Sequence, residues 1–508
     1  MKRIIYKMLI LIICLIPFSI QAFDGISTKS IGLAGAVTAN PPGLMAIHNN
    51  PAGLYQAREG FVYHQSLQTM NLNRKNRFSP VPSFEILSLK SSQDSVANQS
   101  SGRGKSCLYY PLYGDAHGDM LILPLPVGTT YRPPKSRWVM AIGSYMPFSQ
   151  GIQFSPDDSS QYQTQHYYQQ HFVYAGPALA YQWSDSFSVG LSIGFGQTAW
   201  GQNHRLRILN DRFAKSQFLP PVPDVGPFDG FADMQLELRD DMALSFNLGL
   251  LWKPMKNLTL GCVYRSAIST NLKGRMDIHF SDYFMALTQY CRDNPSFSRQ
   301  LDSSGLEKIS KQQTSNSVEL EQFGWPDALQ LGLQYDYSND IHMMFDIQWT
   351  RWACQESYQL VFDNKDNPLI FLLDALDQST GHVIQYPNQM KDTVFYHMGI
   401  EWQLKESFTL RNGISYCPQS VSDSHMNMMH WPDIIYIGTG FEWRWPNRWV
   451  IEQGLGYFVS KNKQIENSRQ LNDWDPESSF FSPYAGQVVT TKVSGIVLSL
   501  SVKVPLSL

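Results

Sequence analysis

The sequence predicts an all-β fold, a fourteen-stranded antiparallel transmembrane β-barrel with an N-terminal hatch, or plug, inside its lumen. Three observations predict it. Apolar residues alternate with polar or small residues in many segments, short turns alternate with long polar connections, and a glycine- and alanine-rich stretch precedes the first strand. A barrel of this width is too wide to be filled by its own side chains, so it needs a plug or forms an open pore.

A leader begins the chain. It has three basic side chains near its start, an apolar run over residues 8–16 and a small residue, Ala22, at a suitable cleavage point. This pattern is typical of a secretory signal peptide, which we predict over residues 1–22. The apolar run is shorter than the roughly 20 residues that a membrane-spanning helix requires.

The hatch is predicted over residues 23–58. This stretch combines glycines and alanines with several prolines, most densely at residues 31–54. Small residues allow a backbone to pack closely against a wall, and prolines prevent the segment from joining a sheet. The segment is therefore expected to fill the lumen rather than to form part of the barrel.

The barrel is predicted over residues 59–508. In residues 187–195 large apolar side chains alternate with serine and glycine, and residues 244–252, 341–349 and 496–504 show the same period of two. Such a period gives a strand one apolar face and one polar or small face. In a membrane barrel the apolar face meets lipid and the other face lines the lumen.

The connections distinguish a membrane barrel from a soluble sandwich. Short turns are predicted at residues 132–135, 184–185, 253–256, 338–340, 405–406 and 445–447. Long polar loops are predicted at residues 71–118, 150–170, 201–239, 273–325, 354–390, 418–430 and 460–486. Outer-membrane barrels join their strands by short periplasmic turns and long extracellular loops, whereas a sandwich has no reason to collect every long loop at one end.

The composition excludes several other classes of protein. The formal net charge is −3, and it becomes more negative once the basic leader is removed, which argues against a nucleic-acid partner. The cysteines are few and scattered, so neither a disulfide framework nor a metal site is expected. Aromatic residues make up 13% of the chain, which suits the aromatic girdles of a membrane barrel.

The N-terminal motif also carries a family resemblance. Residues 30–36 followed by Asn50, Pro51 and Ala52 resemble the hatch, with its Asn-Pro-Ala motif, of the FadL-like (OMPP1/TodX-type) outer-membrane transporters of long-chain fatty acids and other hydrophobic compounds. Further matches occur in order at strand spacing, at residues 246–251, 260–266, 272–274, 325–327, 332–352, 391–399, 410–416, 432–433 and 438–441.

The resemblance implies a function. It implies an outer-membrane channel for uptake of long-chain fatty acids or similar molecules by passive, hatch-gated diffusion that ends with lateral exit through the barrel wall. Asn50, Pro51 and Ala52 would then lie at the gate, although Asn-Pro is also a common start of a simple turn. An aromatic-hydrocarbon channel and a loop-mediated adhesin or structural barrel remain alternatives. No motif supports a barrel-borne lipid enzyme, so no enzyme is expected.

Two sets of ligand-binding residues are predicted. Arg265 and Arg411 lie on the polar phase of their strands, where a lumen cation pairs either with a ligand carboxylate or with wall acids such as Glu401 or Glu442. Large apolar side chains of two loops, partly at helical spacing, form either a capture groove or loop-to-loop packing. The residues assigned to this groove are Phe280, Phe284 and Leu287 of loop 273–325 and Phe218 and Phe228 of loop 201–239.

The expected partners follow from this location. They are a hydrophobic small molecule such as a fatty acid, the lipid and lipopolysaccharide of the outer membrane, and the barrel-assembly machinery. A monomer that binds no cofactor, metal or nucleic acid is expected.

Overall fold

A computed structural model describes most of the chain. The described residues are 27–86, 88–111, 113–207, 209–210, 228–294, 309–363, 382–446, 448–475 and 480–506. The predicted leader and the first residues of the predicted hatch lie outside them. No helix within these ranges is long and apolar enough to cross a membrane.

Fourteen long strands among the described residues form the barrel. They are β1 (Gly60–Pro80), β2 (Val127–Arg132), β3 (Trp138–Gln153), β4 (His166–Ser184), β5 (Phe187–Arg207), β6 (Gly230–Met255), β7 (Leu258–Arg265), β8 (Ala328–Asp336), β9 (Ile341–Thr350), β10 (Thr393–Lys405), β11 (Phe408–Cys417), β12 (Ile434–Arg444), β13 (Val450–Ser460) and β14 (Gln487–Leu506).

The barrel is closed, as predicted. Each strand pairs antiparallel with its neighbours in the chain, and β1 pairs with β14 along its length, from Phe61 opposite Leu506 to Pro80 opposite Gln487. Closure pairs the strands around the whole ring, as a bilayer without hydrogen-bonding solvent requires, and the described part of the ladder is interrupted only beside β2.

Large apolar side chains cover the outer face of the barrel. On β6 the outward residues Leu244, Phe246, Leu248 and Leu250 are all exposed, while the residues between them point into the lumen. A continuous apolar belt of this size would not face water in a soluble protein. Exposed tryptophans lie beside the short turns, where membrane-interface girdles occur: Trp138, Trp183, Trp252, Trp402, Trp443, Trp445 and Trp449.

Several strands extend further from the membrane than predicted. The expected loop at residues 71–118 begins inside β1, and the expected loop at residues 201–239 contains the ends of β5 and β6. These extensions carry polar residues on their outward faces, so they lack the apolar alternation that marks a spanning segment. Their ladders still pair the backbone, because each pairing satisfies an amide and a carbonyl group.

Shorter strands build on these extensions. Leu272–Phe280 pairs with the outer part of β6, and Gln313–Glu321, Ser357–Phe362 and Val383–Pro387 follow it in turn. The other short strands are Glu85–Ile86, Leu89–Lys90, Lys105–Tyr110, Gly114–Gly118, Leu121–Leu123, Leu209–Asn210, Ile268–Ser269, Gly324–Trp325, Lys463–Ile465, Trp474–Asp475 and Phe480–Phe481.

The helices are few and short. The N-terminal segment, residues 27–58, contains α1 (Thr28–Gly32), α2 (Ala46–Asn49) and two 3-10 helices, Gly43–Met45 and Pro51–Gln56. The outer loops contain α3 (Asp282–Asp293), which includes the predicted helical spacing, and the 3-10 helices Ser91–Gln93, Trp352–Gln355 and Asp423–His425.

Candidate gate and ligand pathway

The N-terminal segment lies inside the barrel against a set of inward-facing glycines. Gly190 of β5 and Gly249 of β6 are register partners, and an added Cβ on either would overlap the backbone or side chain at Asn50 and Pro51. Five glycines of other strands approach the segment as closely: Gly261, Gly332, Gly413, Gly438 and Gly454. The wall therefore leaves just enough room for this segment.

Asn50 connects three parts of the structure. Its Nδ2 donates to the carbonyl oxygen of Thr38 at 2.9 Å and to that of Leu250 in the wall at 3.0 Å. Its Oδ1 accepts from the Ala52 amide at 3.2 Å and so caps the 3-10 helix Pro51–Gln56. The side chain is fully buried. Asn50 thus starts the turn, and it also ties that turn to the rest of the segment and to β6.

A carboxylate holds the middle of the segment. Asp346 of β9 is buried, and its Oδ2 accepts from the amides of Val37 and Thr38 at 3.0 and 2.8 Å and from Nε2 of Gln330 at 3.1 Å. Hydrogen bonds to a charged acceptor are among the stronger ones in proteins. We assigned no role to Asp346 from the sequence, although a lone acid on the inward phase of an otherwise apolar strand was an available signal.

A second wall contact lies beside Asp346. His397 of β10 is buried, and its Nδ1 is 2.8 Å from the carbonyl oxygen of Ala34. Gly35 follows with a φ of +88°, and any side chain there would collide with the same imidazole ring. This position needs glycine both for its backbone conformation and for space.

Arg411 is the centre of a buried ionic network. Its Nε is 2.7 Å from Oε2 of Glu401, its Nη1 is 2.8 Å from Oε1 of Glu452, and its Nη2 is 2.5 Å from Oε2 of Glu442. Of the two roles predicted for Arg411, the structure thus shows the pairing with wall acids. Each of its three nitrogens pairs with a carboxylate of the wall, so the charge of the guanidinium group is already balanced within the barrel.

The same network reaches the N-terminal segment. Lys29 of α1 is buried, and its Nζ lies 3.5 Å from Oε2 of Glu401, while Nζ of Lys503 lies 3.0 Å from Oε1 of Glu452. Removing one member of a buried ion cluster leaves an uncompensated charge in a medium that solvates it poorly. The network therefore holds α1 to the wall.

Arg265 lines a cavity that borders the N-terminal segment. As predicted, its side chain is buried in the lumen, where Nη2 donates to Oε1 of Gln330 at 2.9 Å and to Oε1 of Gln348 at 2.7 Å. The cavity is small and lies between the segment and the barrel wall. Its lining is mainly apolar and aromatic and includes His48, Tyr145, Phe148, Ile268, Trp352 and Phe395.

The barrel wall is incomplete beside β2. β2 pairs with β3 only from Val127 to Tyr131. Further along β1, opposite residues 68–70, the strand Leu121–Leu123 pairs with β1 instead of β2. Among the described residues, no backbone pairing joins Leu121–Leu123 to residues 145–151 of β3. Pro126 and Pro147 lie at this edge and have no amide hydrogen to contribute to a ladder.

An apolar cavity fills this wall gap. Its lining combines residues of the gap with inward residues from across the lumen. Among the lining residues are Met70, Leu108, Leu121, Leu125, Met146, Trp431, Tyr436 and Val497. The cavity thus extends from the lumen into the gap. No sequence signal other than the two prolines pointed to it.

The structure separates the residues that were expected to form one capture groove. Phe280 and Phe284 are buried and stack on each other with ring centroids 5.0 Å apart, whereas Phe228 is buried in a different cluster with Phe84 and Ile86. These three side chains therefore pack loops together, which was the alternative prediction. Phe218 and the side chain of Leu287 lie outside the described residues.

Comparisons with known proteins agree with this architecture. Residues 21–505 match the family model described as outer membrane protein transport protein (OMPP1/FadL/TodX). A curated relative, the putative outer membrane protein NMB0088 of Neisseria meningitidis serogroup B, is 22% identical over 267 residues, which are 53% of this chain and 49% of the relative. The chain thus matches about half the length of that relative.

Solved structures show the same fold. A Pseudomonas aeruginosa FadL homologue superimposes with a TM-score of 0.70 and 15% identity, covering 96% of this chain and 100% of the other. The toluene transporter TodX of Pseudomonas putida superimposes with a TM-score of 0.64 and 14% identity over the same shares. The family consists of transport channels rather than enzymes, as expected. This closed barrel, with its matched family model over nearly the whole chain, belongs to the OMPP1/FadL/TodX family of outer-membrane transport proteins.

Proposed function

We propose that this protein is an outer-membrane channel for long-chain fatty acids or closely similar hydrophobic molecules. The ligand diffuses through the lumen past the N-terminal segment, which acts as a hatch, and it leaves sideways through the wall gap. The observation that carries this proposal is the apolar cavity that joins the lumen to the gap beside β2.

The driving force is burial of apolar surface. Each methylene group that leaves water contributes about 0.8 kcal/mol, so a long acyl chain partitions strongly into an apolar cavity. A ligand that leaves through the wall gap passes between Leu121 and Met146 and enters lipid without crossing water. No energy source is needed, because burial of the acyl chain favours entry and the exit step moves the ligand from an apolar cavity into lipid.

The gate consists of Asn50, Pro51 and Ala52. In the closed arrangement these residues fill the space left by Gly190 and Gly249, and the bonds of Asn50 hold them there. Opening requires that the hydrogen bonds of Asn50 break or exchange partners. A few such bonds are weak enough to be broken by thermal motion and strong enough to keep the lumen closed most of the time.

Arg265 supports a fatty acid rather than an aromatic hydrocarbon as ligand. It places a guanidinium group in an otherwise largely apolar cavity next to His48 of the hatch. Its Nη2 donates to the amide oxygens of Gln330 and Gln348. A ligand carboxylate is a stronger partner for a guanidinium group than an amide oxygen. An aromatic hydrocarbon would gain only a cation–π contact, which is weaker than a charge-assisted hydrogen bond to a carboxylate.

The test is uptake of labelled oleate by cells that lack their own transporter and express this chain. We expect the parent to take up oleate and Arg265→Gln to take up less. We expect oleate uptake by Asn50→Ala to lose its control by the hatch. Uptake of labelled toluene serves as the comparison and is expected to be unaffected by Arg265→Gln. Toluene uptake without oleate uptake, by a barrel shown to be folded, would contradict the fatty-acid proposal and favour the aromatic-hydrocarbon channel.

The surroundings of the barrel belong to the same proposal. We expect the barrel-assembly machinery to insert it as a monomer among the lipid and lipopolysaccharide of the outer membrane. Deletion of residues 27–58 separates transport from the adhesin alternative, because loop-mediated adhesion would survive this deletion and gated uptake would not.

A further inference from the structure

Five basic side chains are exposed together on the outer surface near the extracellular rim, and we refer to them as the basic patch. They are Lys75 and Arg77 of β1, Lys492 of β14, and Arg103 and Lys105 of the segment that runs beside β1. From their register, their charge and their height above the apolar belt, we infer that the basic patch binds the phosphate groups of a phosphorylated glycolipid in the outer leaflet.

The register brings like charges together. Lys75 lies directly opposite Lys492 in the β1–β14 ladder, and Arg77 is two residues further out on the same face. Side chains at directly opposite positions have their Cβ atoms about 5 Å apart, and like charges there destabilise a sheet. A bound anion between them would remove this repulsion.

The other two members of the patch approach from the opposite edge of β1. The segment containing them is tied to β1 by hydrogen bonds from the Phe78 amide to the Gln99 carbonyl oxygen at 3.0 Å and from the Ser101 amide to the Asn76 carbonyl oxygen at 2.8 Å. These bonds continue the sheet outward on the side away from β14. The five cations therefore share one surface made from three adjacent segments.

No ion pair among the described residues neutralises the charges of the patch. Within the described ranges, none of the five forms an ion pair, and the chain as a whole is acidic. Some basic residues elsewhere on the extracellular strands do have acidic partners: Lys273 pairs with Glu319 at 3.2 Å and the half-buried Arg205 with Asp233 at 2.9 Å. The patch thus concentrates five cations on one surface without an acidic partner among the described residues, which suits an external anion.

The height of the patch identifies the anion. On the outward face of β14, exposed apolar residues run from Leu506 to Ile496, and Lys492 lies four residues further out. At about 3.3 Å per residue and a tilt of roughly 40°, the apolar stretch is about 25 Å tall and Lys492 lies about 10 Å above it. Lipid phosphate groups occupy this level, and arginine and lysine are the side chains that bind phosphate.

The patch also borders the wall gap. Met70 of β1 and Ser106 line the apolar cavity of the gap, and Lys75 and Lys105 lie beyond them on the same two segments. A glycolipid bound by its phosphates would therefore stand at the outer rim of the gap and cover it from the extracellular side. This inference does not depend on which ligand the channel carries.

The experiment measures binding of lipopolysaccharide to the purified full-length barrel in detergent. The test variant is Lys75→Gln/Arg77→Gln/Lys492→Gln, and the matched control is Lys253→Gln/Lys256→Gln/Lys405→Gln, which removes three exposed cations near the periplasmic turns. Heat-modifiable migration on gels verifies that each variant is folded. Lys492→Gln alone, which still removes the directly opposed pair, replaces the triple variant if the latter does not fold.

We expect the test variant to bind lipopolysaccharide at least tenfold more weakly than the parent and the control to bind within twofold of the parent. Dephosphorylated lipopolysaccharide should bind the parent as weakly as intact lipopolysaccharide binds the test variant. Rising salt should weaken binding to the parent more than binding to the variant. Three results would each overturn the inference. The parent and the test variant could bind lipopolysaccharide equally, or the control could weaken binding as much as the test variant does. An equal concentration of inorganic phosphate could also displace the glycolipid.

Discussion

The most informative single substitution is Asn50→Ala, because this one side chain makes three hydrogen bonds of the gate. The change removes the bonds from Nδ2 to the carbonyl oxygens of Thr38 and Leu250 and the cap on the Ala52 amide. A net hydrogen bond contributes about 0.5–1.5 kcal/mol and a helix N-cap about 1 kcal/mol. Together the loss is about 2–4 kcal/mol in the free energy of the closed hatch.

This loss predicts a measurable shift in local opening. Since about 1.4 kcal/mol is a factor of ten, amide hydrogen exchange at residues 50–56 should accelerate by roughly thirtyfold to several hundredfold, whereas exchange in the barrel strands should stay unchanged. The reconstituted variant should also conduct small ions more often than the parent. Asn412→Ala, which changes an exposed asparagine of β11, is the control. Parental exchange rates throughout the hatch of Asn50→Ala would refute the assignment of Asn50 as its anchor.

Three further substitutions test the contacts between hatch and wall. Asp346→Ala leaves the buried amides of Val37 and Thr38 without their acceptor, so hydrogen exchange at those amides should accelerate by at least tenfold. Unchanged hydrogen exchange there would contradict the contact. Arg411→Met removes the cation that pairs with three carboxylates and should lower the free energy of unfolding by about 3–5 kcal/mol. The control Arg444→Met, at a half-exposed arginine, should lower it by less than about 1 kcal/mol. Equal effects of the two substitutions in denaturant titrations would argue against a central role for Arg411. Gly249→Val should displace the hatch and raise ion conductance, because the valine side chain would overlap Asn50. The control Gly118→Ala should have no effect, because the nearest atom to an added Cβ there is 3.6 Å away. A Gly249→Val channel that stays closed would show that the hatch fits the wall less tightly than described.

Sequence periodicity predicted the membrane part of the fold well. The bilayer imposes one apolar face and a limited length on every spanning strand. These two constraints determine that residues such as Leu244 and Leu248 point outward, and they determine where each short turn lies. Beyond the bilayer this constraint ends. The outer half of β1, with Lys75 and Arg77 on its outward face, therefore reads as a loop although it forms a regular ladder.

The candidate site was less predictable. The alternation along a strand shows which way a side chain points, but it does not show which side chains of other strands lie next to it. The sequence shows that Arg411 and Arg265 point inward, but only the register of several strands decides that the first meets three carboxylates and the second lines a cavity. The wall gap depends on where β2 stops. Pro126 and Pro147 mark unpaired positions, but neither proline shows that the two positions face each other across an opening.

The central claim is that the ligand moves from the lumen into the wall gap beside β2. Photocrosslinking of a diazirine-labelled long-chain fatty acid to the barrel in outer-membrane vesicles tests it most directly, with mass spectrometry to locate the label. The predicted result is label on the cavity side chains of residues 105–110, 121–126 and 145–151, and a loss of this label when Met146→Lys places a charge in the gap. Label confined to the extracellular loops or to the lipid-facing belt around Leu248, with none in the gap, would contradict the proposed pathway.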